Sequence, residues 1–246
     1  MIGIRVGVLA CVGLACSLAA AQDRYGSSTE PSQPTAADWR SAEADILTNH
    51  TKLTSRDMFT RAGEAYFNAN RSMVIFQATP VPEGDALPSP HYEMFVAPFT
   101  MAEGTISGIS TPIRVSTGGS ANTCGWFHPT KANMILFGST IEPPSEANVP
   151  GYQRYTCRYA WSFPTEMEIV AGSISSTIIP AEHEHDFHGL RPAITDAIFS
   201  LPGYTAEASW SPSGRTILYA QVDEVKRDAA GMTDADLWIF DTETGE

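Results

Sequence analysis

Ala206-Glu207-Ala208-Ser209-Trp210-Ser211-Pro212-Ser213-Gly214-Arg215, continued by Thr216-Ile217-Leu218-Tyr219-Ala220-Gln221, is an apolar run, a tight punctuation and a second apolar run. In Ser-Pro-Ser-Gly the Pro fixes φ and the Gly accepts a positive one, so the stretch predicts two strands joined by a sharp reversal. The pattern recurs. At a shift of 143 residues, Glu64-Ala65-Tyr66-Phe67-Asn68-Ala69-Asn70-Arg71 and then Met73–Ala78 fall on it. The same shift lays Glu93-Met94-Phe95-Val96 on Asp236-Leu237-Trp238-Ile239 without a gap. Between these copies stands a third: Cys124-Gly125-Trp126-Phe127-His128-Pro129-Thr130 leads into Met134-Ile135-Leu136-Phe137-Gly138, and after a long insertion Glu168-Ile169-Val170-Ala171 fills the third-strand slot. A fourth short element, Lys52-Leu53-Thr54, Arg114-Val115-Ser116 or Ala193-Ile194-Thr195, precedes each copy.

Three four-stranded antiparallel units are thus expected, at about 46–103, 104–180 and 190–246. A sheet with apolar residues on both faces buries them only by stacking on its neighbours, which is the physics of a propeller blade. Phe67, Phe76, Phe95, Phe127, Phe137, Trp210, Tyr219 and Trp238 occupy repeat-equivalent positions and are expected in the packing between blades. Consecutive copies stand 60 and 83 residues apart, from Phe67 to Phe127 to Trp210. Common repeats run to about 40–50 residues, so the excess goes into loops, here 79–90, 141–163 and 173–189. Loops on one face of a ring are where binding usually sits. Tyr152, Tyr155, Tyr159 and Trp161 lie in the middle insertion, outside the repeat, and are candidate partner-binding anchors.

Composition agrees with a packed chain. Of 246 residues, 43% are hydrophobic and only 17% charged, which excludes a disordered polyelectrolyte. The formal charge of −13, with bases scattered singly or in pairs, disfavours nucleic acid and anionic membranes as partners. Residues 1–21 form a separate segment: Arg5, an apolar run from Val6 to Leu18 and the small Ala19-Ala20-Ala21 predict a cleaved signal peptide, hence a periplasmic or secreted chain with no membrane span after cleavage. Cys11 and Cys16 follow Leu-Ala, but Val8 and Gly13 stand where a lipoprotein signal has Leu. Residues 22–45, rich in Ser, Pro, Thr and Ala, read as a flexible linker. The mature chain retains Cys124 and Cys157, for which two states are open, a disulfide or buried free thiols.

Sites for chemistry are sparse. His183-Glu184-His185-Asp186-Phe187-His188 offers metal ligands in His183, His185 and His188, though the spacing is not H-E-x-x-H and a solvated polar loop is the stronger reading. Gly104-Thr105-Ile106-Ser107-Gly108 lacks the spacing of a nucleophile elbow, and no glycine loop opens a helix, so no cofactor is expected. The sequons at Asn49 and Asn70 are expected to be silent.

The third copy, with Asp236-Leu237-Trp238-Ile239-Phe240-Asp241, resembles the WD-like propeller repeat of TolB-like periplasmic proteins. Ser213 replaces that family's usual Asp, and the first and middle copies have Asn-Ala-Asn-Arg and His-Pro-Thr-Lys in the turn. The similarity runs over about 46–246 and is weakest over 140–190. It implies an exported, non-catalytic scaffold of the cell envelope that binds a protein or peptide, of the kind associated with the Tol-Pal system. An alternative is the amino-terminal propeller of a longer exported prolyl-oligopeptidase-like serine peptidase; a weaker one is a metal-dependent propeller enzyme. No catalytic residue transfers, because the motif residues are structural. Since closed propellers have about 4–8 blades, three repeats are expected to be part of a larger ring.

Overall fold

The computed structural model describes residues 44, 46–47, 49–145, 151–153, 158–160, 162–174, 192–227 and 233–246, with backbone only at 151–153, 158–160, 192–196, 224–227 and 233. The chain divides into two compact units. In Met1–His50 only five residues are described, and there His50 Nε2 lies 3.3 Å from the Leu47 carbonyl. Thr51–Glu246 carries all the described strands.

Strands β1 (Phe59–Phe67), β2 (Met73–Pro80) and β3 (Glu93–Ala102) pair antiparallel in series. The outer edge of β3 is shared by β4 (Thr105–Ile109) along its far half and β5 (Ile113–Arg114) opposite Phe95 and Val96. The second sheet begins with β6 (Asn122–Phe127) and β7 (Met134–Ser139). A separate two-stranded ribbon follows, β8 (Gly151–Gln153) with β9 (Arg158–Ala160), before β10 (Glu168–Ile174) and β11 (Pro192–Phe199) complete that sheet in the order β11-β10-β7-β6. The third sheet is β12 (Tyr204–Trp210), β13 (Thr216–Arg227) and β14 (Thr233–Asp241). The chain is all-β, with three antiparallel, blade-like sheets of three to five strands.

Side chains alternate along each strand, so every sheet has two apolar faces and the core lies between sheets. Ile75, Met94 and Val96 of the first sheet meet Phe127, Ile135, Phe137 and Val170 of the second. The opposite face of the second sheet sets Leu136 and Ile169 against Ala208, Ile217 and Tyr219 of the third. Gly125 permits the first approach, since a Cβ there would lie 2.5 Å from Met94 Cε and 2.6 Å from Ile75 Cδ1.

The second joint adds a polar contact to its apolar core. His128, in the β6–β7 turn, accepts through Nδ1 from the amides of Thr130 (3.2 Å) and Lys131 (3.1 Å). Its proton therefore sits on Nε2, which donates to the Gly214 carbonyl at 3.2 Å across the sheet boundary. Gly214 is needed twice: its φ is +72°, and a Cβ would fall 2.3 Å from the imidazole. The middle copy's His-Pro-Thr-Lys is thus a turn that reaches into Ser-Pro-Ser-Gly of the next sheet.

Four expectations need correction. Lys52-Leu53-Thr54 is irregular rather than a strand. The elements around 114 and 193 belong to the preceding sheets, where β5 pairs with β3 and β11 with β10. Each outer strand closes its own sheet, and the chain then returns inward to begin the next. The sheets are therefore offset from the sequence units: segments 113–114 and 192–199 sit with the sheet before them. The third sheet has three strands among the described residues, not four. Phe76, Phe95, Phe127, Phe137 and Tyr219 are buried and Trp210 is half-buried, but Phe67 is 57% and Trp238 49% exposed. Phe67 has the Phe99 ring of its own sheet beside it at 5.4 Å. Trp238 lies on the edge strand β14, where residues 234–239 are all exposed.

Candidate functional site

The first strand of each sheet breaks register at one equivalent place, between Gly63 and Tyr66, Thr123 and Trp126, and Ala206 and Ser209. These are β-bulges, which re-aim a side chain at the cost of a local ladder bond. The residue opening each is left-handed without being glycine: Glu64 at φ 49°, Cys124 at 47° and Glu207 at 57°. Such a conformation costs about 1–3 kcal/mol and persists only where the surroundings impose it. Here the imposing force is packing of the strand halves on either side, Tyr66 stacking on Trp126 at 4.5 Å and Ala208 fully buried.

The bulges border a cleft of about 50 Å³ lined by residues that include Glu64, Gln77, His91, Asn122, Tyr204 and Glu207. Gln77 Oε1 accepts from the Cys124 amide at 3.2 Å, and Asn122 Nδ2 donates to the Tyr92 carbonyl at 2.9 Å, which fixes the floor. Cys124 Sγ donates to Glu64 Oε2 at 3.2 Å. Burial first, then the charges of Glu64 and Glu207, pushes this thiol up to about 12, against a hydrogen bond from Thr123 that lowers it. It is therefore a neutral donor, not a nucleophile. Glu207 is raised above the usual carboxylate range, first by desolvation of its carboxyl group and then by Glu64. Tyr66 is raised as well, by burial before the neighbouring Cys124, Glu64 and Glu207. The site concentrates negative charge that its own residues do not neutralise: among the described residues neither Glu64 nor Glu207 pairs with Lys, Arg or His.

The candidates expected from sequence are not among the cleft-lining residues described. His183, His185 and His188, with Tyr155, Trp161 and Cys157, fall outside the described residues. Tyr152 and Tyr159 are opposite one another in the β8–β9 ribbon, apart from the sheets. Cys124 is buried and free. Among the described residues no group of three or more His, Cys, Asp or Glu is arranged to hold a metal ion. Glu64, Glu207 and His91 were not singled out by sequence reasoning. The signal for the first two was present, because the repeat alignment superposes Glu64 on Glu207 and places Cys124 in the same slot. His91 has no such signal, being in a loop between strands.

No protein-family model and no curated protein matches the chain. Among solved structures it is similar to parts of two propeller-containing proteins. The hydrazine synthase of Kuenenia stuttgartiensis aligns with 77% of this chain and 25% of its own, at 12% identity and a TM-score of 0.45. The tricorn protease aligns with 74% and 17%, at 11% identity and a TM-score of 0.39. The chain thus spans a quarter or less of each of these proteins.

Proposed function

We propose that this chain is an exported, TolB-like β-propeller that binds a protein or peptide and acts as a non-catalytic scaffold of the cell envelope. The observation that carries this reading is the cleft at the recurrent bulges, where a repeated backbone bend presents Glu64 and Glu207 at an opening in the stack, with the third bulge residue, Cys124, buried beside Glu64. A scaffold that holds its strands constant while changing the residues at one rim is suited to recognition. The buried thiol, held in its protonated form, argues against its use in nucleophilic chemistry. Export rests on residues 1–21, and the separate β8–β9 ribbon, carrying Tyr152 and Tyr159, supplies a further contact surface.

Two measurements test this. Amino-terminal sequencing of the protein recovered from an expressing Gram-negative host should begin at Gln22, in the periplasmic fraction; recovery of uncleaved chain in the cytoplasm removes the envelope assignment. An immobilised peptide array probed with the purified mature chain should give a sequence-dependent subset of positives, weakened when Tyr152 and Tyr159 are both changed to Ser or when Glu64 and Glu207 are changed to Gln. Uniform silence across the array and against folded envelope proteins rules out the binding role.

A further inference from the structure

We infer that the cleft at the bulges binds a primary ammonium group, presented by the amino terminus or a lysine side chain of a peptide. This inference rests on the reading of the chain as a peptide-binding propeller. The first support is charge. Glu64 and Glu207 flank the opening, lack a cationic partner among the described residues and repel one another. A lone acidic pair on a surface would simply be hydrated, so a second observation decides the matter.

That observation is His91. It is 7% exposed, lines the same cleft, and among the described residues neither ring nitrogen has a hydrogen-bond partner. With no hydrogen-bond partner among the described residues, the ring is open to pairing with a group that enters the cleft. Burial, followed by the charge of Arg61, holds the imidazole below its usual range, so the ring is neutral and one nitrogen is an acceptor. Arg61 itself is held against the Tyr92 ring at 4.2 Å and donates to Thr79 Oγ1 at 2.9 Å. The cleft therefore offers two carboxylates and an imidazole acceptor.

A group carrying several N–H donors and a positive charge satisfies all of them, and an ammonium has three. The volume fits: a single water needs about 10–15 Å³ of such space, so about 50 Å³ admits an ammonium and the carbons next to it. The described residues offer no metal-holding group of three ligands, which leaves an organic cation as the class. The neutral Cys124 thiol donates to Glu64 at 3.2 Å, which restrains that carboxylate without cancelling its charge.

The test uses the mature chain and three probes followed by amide chemical shifts: triglycine amide with a free amino terminus, its N-acetyl form, and N-acetyl-lysine amide. The expected result is saturable shifts at Glu64, His91, Cys124 and Glu207 with one or both free amines, loss of these shifts with N-acetyl-triglycine amide, and at least tenfold weaker binding in Glu64→Gln and Glu207→Gln. Saturation by triglycine amide alone assigns the α-amine; saturation by the lysine derivative alone assigns the side chain. Each variant's thermal midpoint is measured alongside, so that loss of fold is separated from loss of the acceptor. Equal shifts with the acetylated peptide, unchanged affinity in both Gln variants, or silence of all three probes at these amides overturns the inference. The array separates this failure from failure of the binding role, because acetylated, lysine-free peptides that bind leave the role standing.

Discussion

The two outward faces of the stack differ sharply. On the first sheet, Val74, Phe76, Ala78, Phe95 and Ala97 point away from the second sheet and are nevertheless buried, because Phe59, Met58, Phe99 and Ile109 of the same segment fold over them. Phe59 is the keystone, its ring edge-on to Phe76 at 5.6 Å and to Phe95 at 5.0 Å. On the third sheet, Leu218, Leu237 and Ile239 point away from the second sheet with none of the described residues covering them, and Leu237 is 75% exposed. The same repeat has thus been finished at one end by local chain and left bare at the other. Capping a sheet requires only a few aromatic residues ahead of its first strand and on its outer edge; it does not require another blade.

The largest effect that separates the two faces is expected from Phe59→Ala, which opens the capped face and should cost about 3–5 kcal/mol in urea unfolding. A loss no greater than that of a surface substitution would show the cap to be ornamental. Next come the two joints. Gly125→Ala places a methyl among Met94 and Ile75, and Gly214→Ala places one in the His128 ring at a positive φ; overpacking of this kind costs about 1–3 kcal/mol. Hydrogen exchange should then show Gly125→Ala loosening the first sheet and Gly214→Ala the third. A third, pH-dependent effect belongs to the second joint. His128 is held below its usual range by burial, then by Lys131, with the Gly214 bond opposing. The unfolded chain therefore takes up a proton that the folded one refuses, and stability contributed above the unfolded-state value of 6.5 is lost as pH falls from there through the lower folded-state value. Acid titration should loosen β12–β13 before β1–β2, and His128→Gln should remove that slope. The smallest effect is expected from Leu237→Ser with Ile239→Ser, within about 0.5 kcal/mol in stability. The same pair should lower binding of a hydrophobic dye, since it removes bare apolar surface.

The repeats were legible because their chemistry is periodic. Phe76, Phe137 and Tyr219 align in sequence and are buried alike, each on the face its sheet turns toward the preceding one or toward its own cap. Phe67 aligns equally well and is exposed, because exposure depends on what stands opposite and the sequence repeat is silent on that. The fourth-strand elements were recognised but given to the wrong sheets: a short apolar run shows a strand without showing which edge it joins. The cleft was half legible. Glu64 and Glu207 stood in equivalent slots, yet acids are common in this chain and nothing in one dimension marks two of them as unneutralised. His91 was invisible, since its role depends on an enclosure built by residues from several strands.

The recurrent bulge also separates what may change from what must not. Its backbone is dictated by the strand halves on either side, so the three left-handed residues form a socket whose chemistry can be rewritten by altering three codons. Glutamate, cysteine and glutamate are one setting of that socket. Because none of the three side chains is needed to make the bend, new ligand preferences are within reach of single substitutions that leave the frame standing.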